Sequence, residues 1–260
     1  MVESVLHKDK VVLVTGGAKG IGRGISECFL QAGATVIVCG REEPDDLPEI
    51  GGRRAEFITA DLKDPEAVEQ LMAETRRLYG RLDVLINNAG GSPFAMSADT
   101  SHRYNDSIIR LNLLAPFQLA QLANGMMQEQ DNGGVIVFIA SVSGLRASPG
   151  TAAYGAAKAG ILNLTKSLAV EWAPKVRVVA VSPGLIRTEQ SHLHYGDEAG
   201  IAAVSATVPL GRMGQPTDIG AACVWLASEN AAYASGTNLV LDGGGERPSF
   251  LDASNVNKTT

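Results

Sequence analysis

Tyr154 and Lys158 stand four residues apart within Ala152–Ala173, a stretch of helical composition, so both side chains leave one face of a helix. A bare tyrosine and lysine at this spacing are ordinarily two members of a solvated face. Their neighbours argue otherwise. Ala152, Ala153, Gly155, Ala156, Ala157, Ala159 and Gly160 permit close packing and imply burial. A buried ammonium near a phenol favours the phenolate and is expected to bring the tyrosine pKa down from ~10 toward neutrality. Such a phenol suits general acid/base work. Ser141 lies thirteen residues earlier, just past the apolar run Val135–Ala140. Ligands of open α/β sheets bind at strand carboxyl ends, so its hydroxyl is expected to face the same crevice.

A second feature points to an anion. Thr15-Gly16-Gly17-Ala18-Lys19-Gly20-Ile21-Gly22 joins a β-branched run to an amphipathic stretch. A strand, a glycine turn and a helix start offer unpaired N–H groups and a partial positive charge, and missing side chains let a pyrophosphate come close. The spacing is G-x-x-x-G-x-G rather than the G-x-G-x-x-G dinucleotide fingerprint, and glycine clusters also make plain tight turns.

The elements that must position these groups can be read from periodicity. Strands are expected at Val11–Thr15, Thr35–Cys39, Ala55–Thr59, Asp83–Asn87, Val135–Ala140, Val176–Val181 and Thr237–Leu241. Most are apolar on both faces, as parallel strands covered on two sides should be. Helices are expected at Ile21–Ala32, Pro65–Tyr79, Tyr104–Glu129, Ala152–Ala173 and Thr217–Ser228, with Asp64-Pro65 as an N-cap followed by proline. The alternation predicts one α/β domain over residues 1–260, a doubly wound parallel seven-stranded sheet with right-handed crossovers. Arg41–Arg54 holds Pro44, Pro48, Gly51 and Gly52, so an irregular or one-turn link is expected there. Residues 246–260 form a polar tail, frayed or docked on a neighbouring subunit.

Composition narrows the classes. Of 260 residues 45% are apolar and 19% charged, below the usual ~25%, which excludes disorder and coiled coil. A formal charge of −6 gives no general attraction to nucleic acid. Cys28, Cys39 and Cys223 lie far apart with no Cys-x-x-Cys, so reduced thiols in a cytoplasmic chain are expected. The longest apolar run is far short of a membrane span, and the first ten residues lack the core of a signal peptide. Neither a membrane nor a metal partner is expected. His192 and His194 have no carboxylate or cysteine to complete a ligand set, and His7 and His102 have no motif around them.

Taken in order, the glycine turn, Asn87-Asn88-Ala89-Gly90, Asn112, Ser141, Tyr154-Gly-Ala-Ala-Lys158 and Pro183-Gly184-Leu-Ile-Arg-Thr188 resemble the short-chain dehydrogenase/reductase family, from about residue 9 to 245. The resemblance implies a Rossmann fold and an oxidoreductase that interconverts a ketone and a secondary alcohol with a nicotinamide dinucleotide. It implies that Tyr154 exchanges a proton with the substrate oxygen and that Ser141 steadies the developing oxyanion. Lys158 would lower the tyrosine pKa and hold the nicotinamide ribose, and Asn112 would position a water linking Lys158 to solvent. Gly16, Gly20, Ile21 and Gly22 would cradle the pyrophosphate. Asp61 with Leu62 would meet the adenine, and Asn88, Ala89 and Gly90 the adenosine ribose, Asn88 also bracing the central strand. Pro183, Gly184, Ile186 and Thr188 would hold the nicotinamide end.

Relatives that prefer NAD carry an acid at the end of strand two. Gly40 stands there, followed by Arg41, and Lys19 in the glycine turn would lie near the same ribose. Two cations fit a 2′-phosphate, so NADP(H) is favoured over NAD(H). The competing reading has both as surface cations, with Glu42 or Glu43 supplying the acid. Residues 188–213 are expected to form the substrate lid. Arg146 or Arg187 could hold an anionic substrate, although salt-bridged surface arginines are commoner. Steroid or polycyclic ketones, 3-oxoacyl thioesters and polyols all fit, as does a homodimer or homotetramer paired through the two long helices. A catalytically silent nucleotide-sensing or scaffold protein is the alternative, against which the intact Ser141, Tyr154 and Lys158 argue. An enoyl reductase of this fold would place six residues between tyrosine and lysine rather than three.

Overall fold

Val12, Val14, Val36, Val38, Ile86, Val137, Val179 and Val181 belong to one buried cluster, and Leu13, Ile37, Leu85, Ile136, Phe138 and Val178 to another. Alternate residues of each strand thus enter opposite cores, which requires a sheet covered on both faces. The computed structural model, which describes residues 6–253, has this arrangement. Strands β1 (Val11–Thr15), β2 (Thr35–Gly40), β5 (Glu56–Thr59), β6 (Val84–Asn87), β7 (Gly134–Ile139), β8 (Val176–Pro183) and β9 (Asn238–Leu241) form one sheet in the order β5-β2-β1-β6-β7-β8-β9. All its pairs are parallel. The strand order reverses between β1 and β6, the point at which such sheets bind ligands beyond the strand carboxyl ends.

Helices α1 (Gly20–Gln31) and α8 (Pro216–Ala227) cover one face through Ile25, Phe29, Leu30, Ile219, Cys223 and Leu226. Helices α2 (Pro65–Tyr79), α4 (Ala115–Glu129) and α5 (Ala152–Glu171) cover the other through Leu71, Leu119, Met127, Ile161 and Leu168. The bounds of α2 follow from local chemistry. The Asp64 side chain accepts from the Glu66 amide, Pro65 opens the helix, and Gly80 closes it at φ 68°.

Two segments differ from expectation. The link after β2 contains a two-stranded antiparallel hairpin, β3 (Glu49–Ile50) with β4 (Arg53–Arg54), turned by Gly51 and Gly52, both at positive φ. It has no helical turn, because two successive left-handed residues suit a tight hairpin and not a helix. The expected helix over 104–129 starts earlier, as α3 (His102–Ile109), and is widened by a π turn over Arg110–Leu114 before α4. Of the polar tail, Ser249–Ala253 form the short helix α9, and 254–260 lie outside the described residues.

The end of the sheet away from the glycine turn is tied together by Asp83, which is 5% exposed. Its carboxylate accepts from the Val11 amide at 2.9 Å and from Arg81 Nε at 2.9 Å, and pairs with Lys10 at 3.3 Å. Asp83→Ala is expected to lower unfolding stability by about 2–3 kcal/mol, the worth of charge-assisted bonds whose donors stay behind. Urea denaturation checks this, and turnover at the opposite end of the sheet is expected to change less than about twofold.

Candidate functional site

The glycine turn leaves β1 with Gly16 at φ 60° and enters α1 with Gly20 at φ 54°. Both values lie in the left-handed region that glycine tolerates best. A Cβ at Gly22 would run into the Gly16 carbonyl and the Asn88 amide, so this packing of turn and helix requires glycine. The turn is braced from β6. Asn88 Nδ2 donates to Thr15 O at 2.8 Å, while the Asn88 and Ala89 amides both donate to Thr15 Oγ1 at 2.9 Å. Thr15 opens the glycine motif in the sequence, and its bracing role has no sequence signal of its own.

Helix α1 has no side-chain cap and no acid in its first turn. Its Gly20 amide donates instead to Glu189 Oε1 at 3.0 Å, so the helix start holds a carboxylate oxygen supplied from 169 residues away. A side-chain-free cradle and an N–H already engaged by an anion fit the diphosphate of a dinucleotide.

Ser141 lies two residues past β7 and caps a 3-10 turn (Val142–Gly144), its hydroxyl accepting from the Ser143 amide at 3.1 Å. Helix α5 closes onto this turn. A Cβ at Gly155 would lie 2.9 Å from Ser143 O, and one at Gly144 would lie 2.7 Å from the Lys158 carbonyl carbon. The small residues around Tyr154 therefore set the distance between its helix and the Ser141 turn. The sequence expectation of a buried lysine agrees with the structure: Lys158 is 4% exposed. Its Nζ donates to Ile139 O at 2.8 Å and stands 5.5 Å from the Tyr154 ring centroid. Burial pulls the lysine pKa down to about 8.

The tyrosine differs from expectation. Burial raises its pKa above that of an ordinary phenol, while the Ser141 hydroxyl pulls the other way. The expected drop toward neutrality is absent because desolvation opposes the phenolate, and the ammonium is committed to the Ile139 carbonyl.

Asn112 sits in the π turn, fully buried. Its Nδ2 donates to Ile108 O at 2.9 Å and to Gly91 O at 3.0 Å, and its Oδ1 accepts from the Gly91 amide at 2.9 Å. A Cβ at Gly90 would meet Asn112 Oδ1 at 2.5 Å and Lys158 Nζ at 3.4 Å. Asn112, Gly90 and Lys158 thus converge behind Tyr154. Tyr104 steadies the rim, its hydroxyl donating to Pro93 O at 2.9 Å.

Gly184 approaches the end of β9 so closely that a Cβ would lie 2.7 Å from Asp242 Cα, and its amide donates to Leu241 O at 2.9 Å. Pro183 is the last residue of β8, and Ile186 bridges to Gly214. Thr188 is held by its own amide donating to Ser191 Oγ at 2.9 Å. Asp61 is exposed two residues past β5, accepting from the Lys63 amide at 3.0 Å, while Leu62 packs on the core. Lys19 and Arg41 are exposed, and neither makes an ion pair or side-chain hydrogen bond among the described residues.

A family model described as enoyl-(acyl carrier protein) reductase, one of the short-chain dehydrogenase/reductase models, matches residues 16–246. This chain is a short-chain dehydrogenase/reductase. It is similar to an NAD-dependent glycerol dehydrogenase of Listeria innocua, 35% identical over 91% of this chain and 93% of that one. A 3-oxoacyl-[acyl-carrier-protein] reductase of Thermotoga maritima is likewise 35% identical, over 90% and 97%. The solved structure of Thermoplasma acidophilum aldohexose dehydrogenase in ligand-free form superposes with a TM-score of 0.85 at 30% identity, covering 97% of this chain and 98% of that one.

As a short-chain dehydrogenase/reductase the protein is an oxidoreductase of alcohol- and ketone-type substrates that works with a nicotinamide dinucleotide. In this short-chain dehydrogenase/reductase, Arg146 pairs with Glu246, and Arg187 pairs with Glu198 at 2.8 Å, so both arginines have carboxylate partners. His192 Nδ1 bonds Glu189 O at 3.0 Å, and the His194 ring lies 6.1 Å from that of Tyr195. No cluster of three potential metal-ligating side chains occurs among the described residues. No helix of the described residues is long and apolar enough to cross a membrane.

Proposed function

We propose that this protein interconverts a ketone and a secondary alcohol with NADP(H), on a steroid or polycyclic, 3-oxoacyl or polyol-like substrate. The convergence of Ser141, Tyr154 and Lys158 on the carboxyl ends of β7 and α5's first turns, beside the glycine cradle, carries the reading. A bound nicotinamide supplies or accepts the hydride. Tyr154 Oη gives its proton to the carbonyl oxygen in reduction and takes it back in oxidation. The Ser141 hydroxyl donates to the same oxygen as negative charge develops. Lys158, charged at neutral pH with its pKa near 8, stabilises the tyrosinate left behind. Asn112 holds the Gly90–Gly91 backbone against Lys158 and positions the water that relays its proton to solvent. Gly16, Gly20, Ile21 and Gly22 receive the diphosphate, Asp61 and Leu62 the adenine, Asn88, Ala89 and Gly90 the ribose, and Pro183, Gly184, Ile186 and Thr188 the carboxamide end.

The NADP(H) preference is supported by two exposed cations without ion-pair partners among the described residues, Lys19 in the glycine turn and Arg41 directly after Gly40, the end of β2 where NAD-preferring relatives carry an acid. The lid over 188–213 is supported by two short helices, α6 (His192–Tyr195) and α7 (Glu198–Thr207), beyond the nicotinamide turn. Pairing of subunits through the long helices is supported by Val170, 81% exposed on α5.

Oxidation of NADPH against NADH over a panel of ketones tests the activity. Turnover is expected with at least one ketone class and a higher kcat/KM for NADPH; an equal or higher value for NADH overturns the preference. Arg41→Ala is expected to weaken NADPH by about 10–100-fold, the worth of a charged hydrogen bond, and NADH by less than about threefold. Equal losses would show that Arg41 reads no 2′-phosphate.

A further inference from the structure

Glu189 lies just past the nicotinamide turn, outside every motif read from the sequence. Its position is built rather than incidental. The Ser191 amide donates to Thr188 O at 3.1 Å, and Thr188 Oγ1 accepts from the Gln190 amide at 3.3 Å. The Glu189 carbonyl is held by His192. This braced turn aims the carboxylate at α1, where Gly20 N–H is its hydrogen-bond partner at 3.0 Å. Glu189 forms no ion pair among the described residues, although Lys19 is the next residue along from that amide. The helix has no other side-chain cap. Glu189 thus supplies what α1 lacks, a negative group at its positive end.

We propose that Glu189 is an internal stand-in for the cofactor's diphosphate, capping α1 in the cofactor-free protein and giving way when the dinucleotide binds. The inference rests on the reading of the glycine turn as the diphosphate cradle. A carboxylate and a diphosphate crowded on one N–H repel each other, and that repulsion drives the carboxylate out as the diphosphate enters. Cofactor affinity is therefore set below what the glycine turn alone would provide. Release of Glu189 also unties from α1 the turn that opens the 188–213 segment, which keeps its own hydrogen bonds, so cofactor binding is coupled to the segment that borders the substrate. Because the diphosphate is common to both nicotinamide dinucleotides, NADPH and NADH are affected by the same factor. This separates Glu189 from Arg41.

Two variants test the proposal. Glu189→Ala removes the carboxylate, and Glu189→Asp keeps its charge but is one methylene shorter than the contact requires. Both are expected to bind NADPH and NADH about 3- to 30-fold more tightly in fluorescence titrations. In the cofactor-free variants the Gly20 amide resonance is expected to move from its wild-type position. Unchanged or weaker affinity in Glu189→Ala overturns the proposal, and so does a Gly20 resonance that does not move. Wild-type affinity in Glu189→Asp with tighter binding in Glu189→Ala shows that charge alone acts, and overturns it as well. If the wild-type protein binds neither dinucleotide, the cofactor reading falls and the stand-in role with it. The Gly20 resonance still reports the cap in that case, so the two failures are distinguishable.

Discussion

Tyr154→Phe is expected to lower kcat for carbonyl reduction by about 10³-fold, within the 10²–10⁴ range of positioned proton transfer, while the Kd for NADPH changes by less than about threefold. The substitution removes one oxygen and leaves the ring between α5 and the Ser141 turn, so packing and cofactor contacts survive. The oxygen itself has no substitute. The Ser141 hydroxyl, which accepts from the Ser143 amide, is a far weaker acid than a phenol and does not replace it as proton donor. The raised pKa of Tyr154 keeps the phenol protonated in the cofactor-free protein, the form required of a proton donor in the reducing direction. Steady-state kinetics together with a fluorescence titration separate the two effects. Turnover near the wild-type rate would remove Tyr154 from the chemistry, and a large loss of NADPH binding would make it a binding residue instead.

Lys158→Met is expected to abolish most turnover and at the same time to stabilise the fold. The ammonium is buried, with a pKa near 8 against 10.5 for a free lysine, so the folded protein holds a charge that water would solvate better. Below pH 8 the group is protonated in both states and the full cost is present, about 3 kcal/mol at 1.4 kcal/mol per pKa unit. Between pH 8 and 10.5 the unfolded chain binds more protons than the folded one, so wild-type stability rises with pH across that window. Methionine fills the same channel without a charge but forfeits the bond to Ile139 O. The net gain expected at pH 7 is about 1–2 kcal/mol by urea denaturation, with no rise between pH 8 and 10.5. Turnover should fall by at least about 10²-fold, because nothing then stabilises the tyrosinate. A destabilised variant would mean that the ammonium's hydrogen bonding outweighs its desolvation. Such opposition between stability and activity is the usual mark of a charge kept for function.

Much of the architecture was legible because its causes are local. Alternate burial of Leu13 and Val14 in opposite cores requires an apolar run, and the run is visible in the sequence. The Asp64-Pro65 start and Gly80 stop of α2 are likewise matters of a few neighbouring residues. Gly51-Gly52 signalled that no helix crosses the link after β2. Whether the two glycines make a loop or a hairpin depended on how the flanking residues pair. The π turn at Asn112 was hidden inside a helical stretch of ordinary composition. Its cause is non-local, with the Asn112 side chain satisfying Gly91 as well as Ile108.

By itself the sequence determined the order and type of the elements, the glycine cradle, and the placing of Ser141, Tyr154 and Lys158 at strand end and helix face, since periodicity, turn chemistry and short spacings are properties of neighbouring residues. The tertiary structure decided which groups meet across the sheet. It buried Tyr154, so that desolvation raises the phenol's pKa rather than lowering it, and it turned Lys158 toward the Ile139 carbonyl. It also laid the carboxylate of Glu189 on the amide of Gly20. Desolvation and long-range pairing depend on what the folded chain brings into contact, and a pair 169 residues apart leaves no local pattern from which that contact could be read.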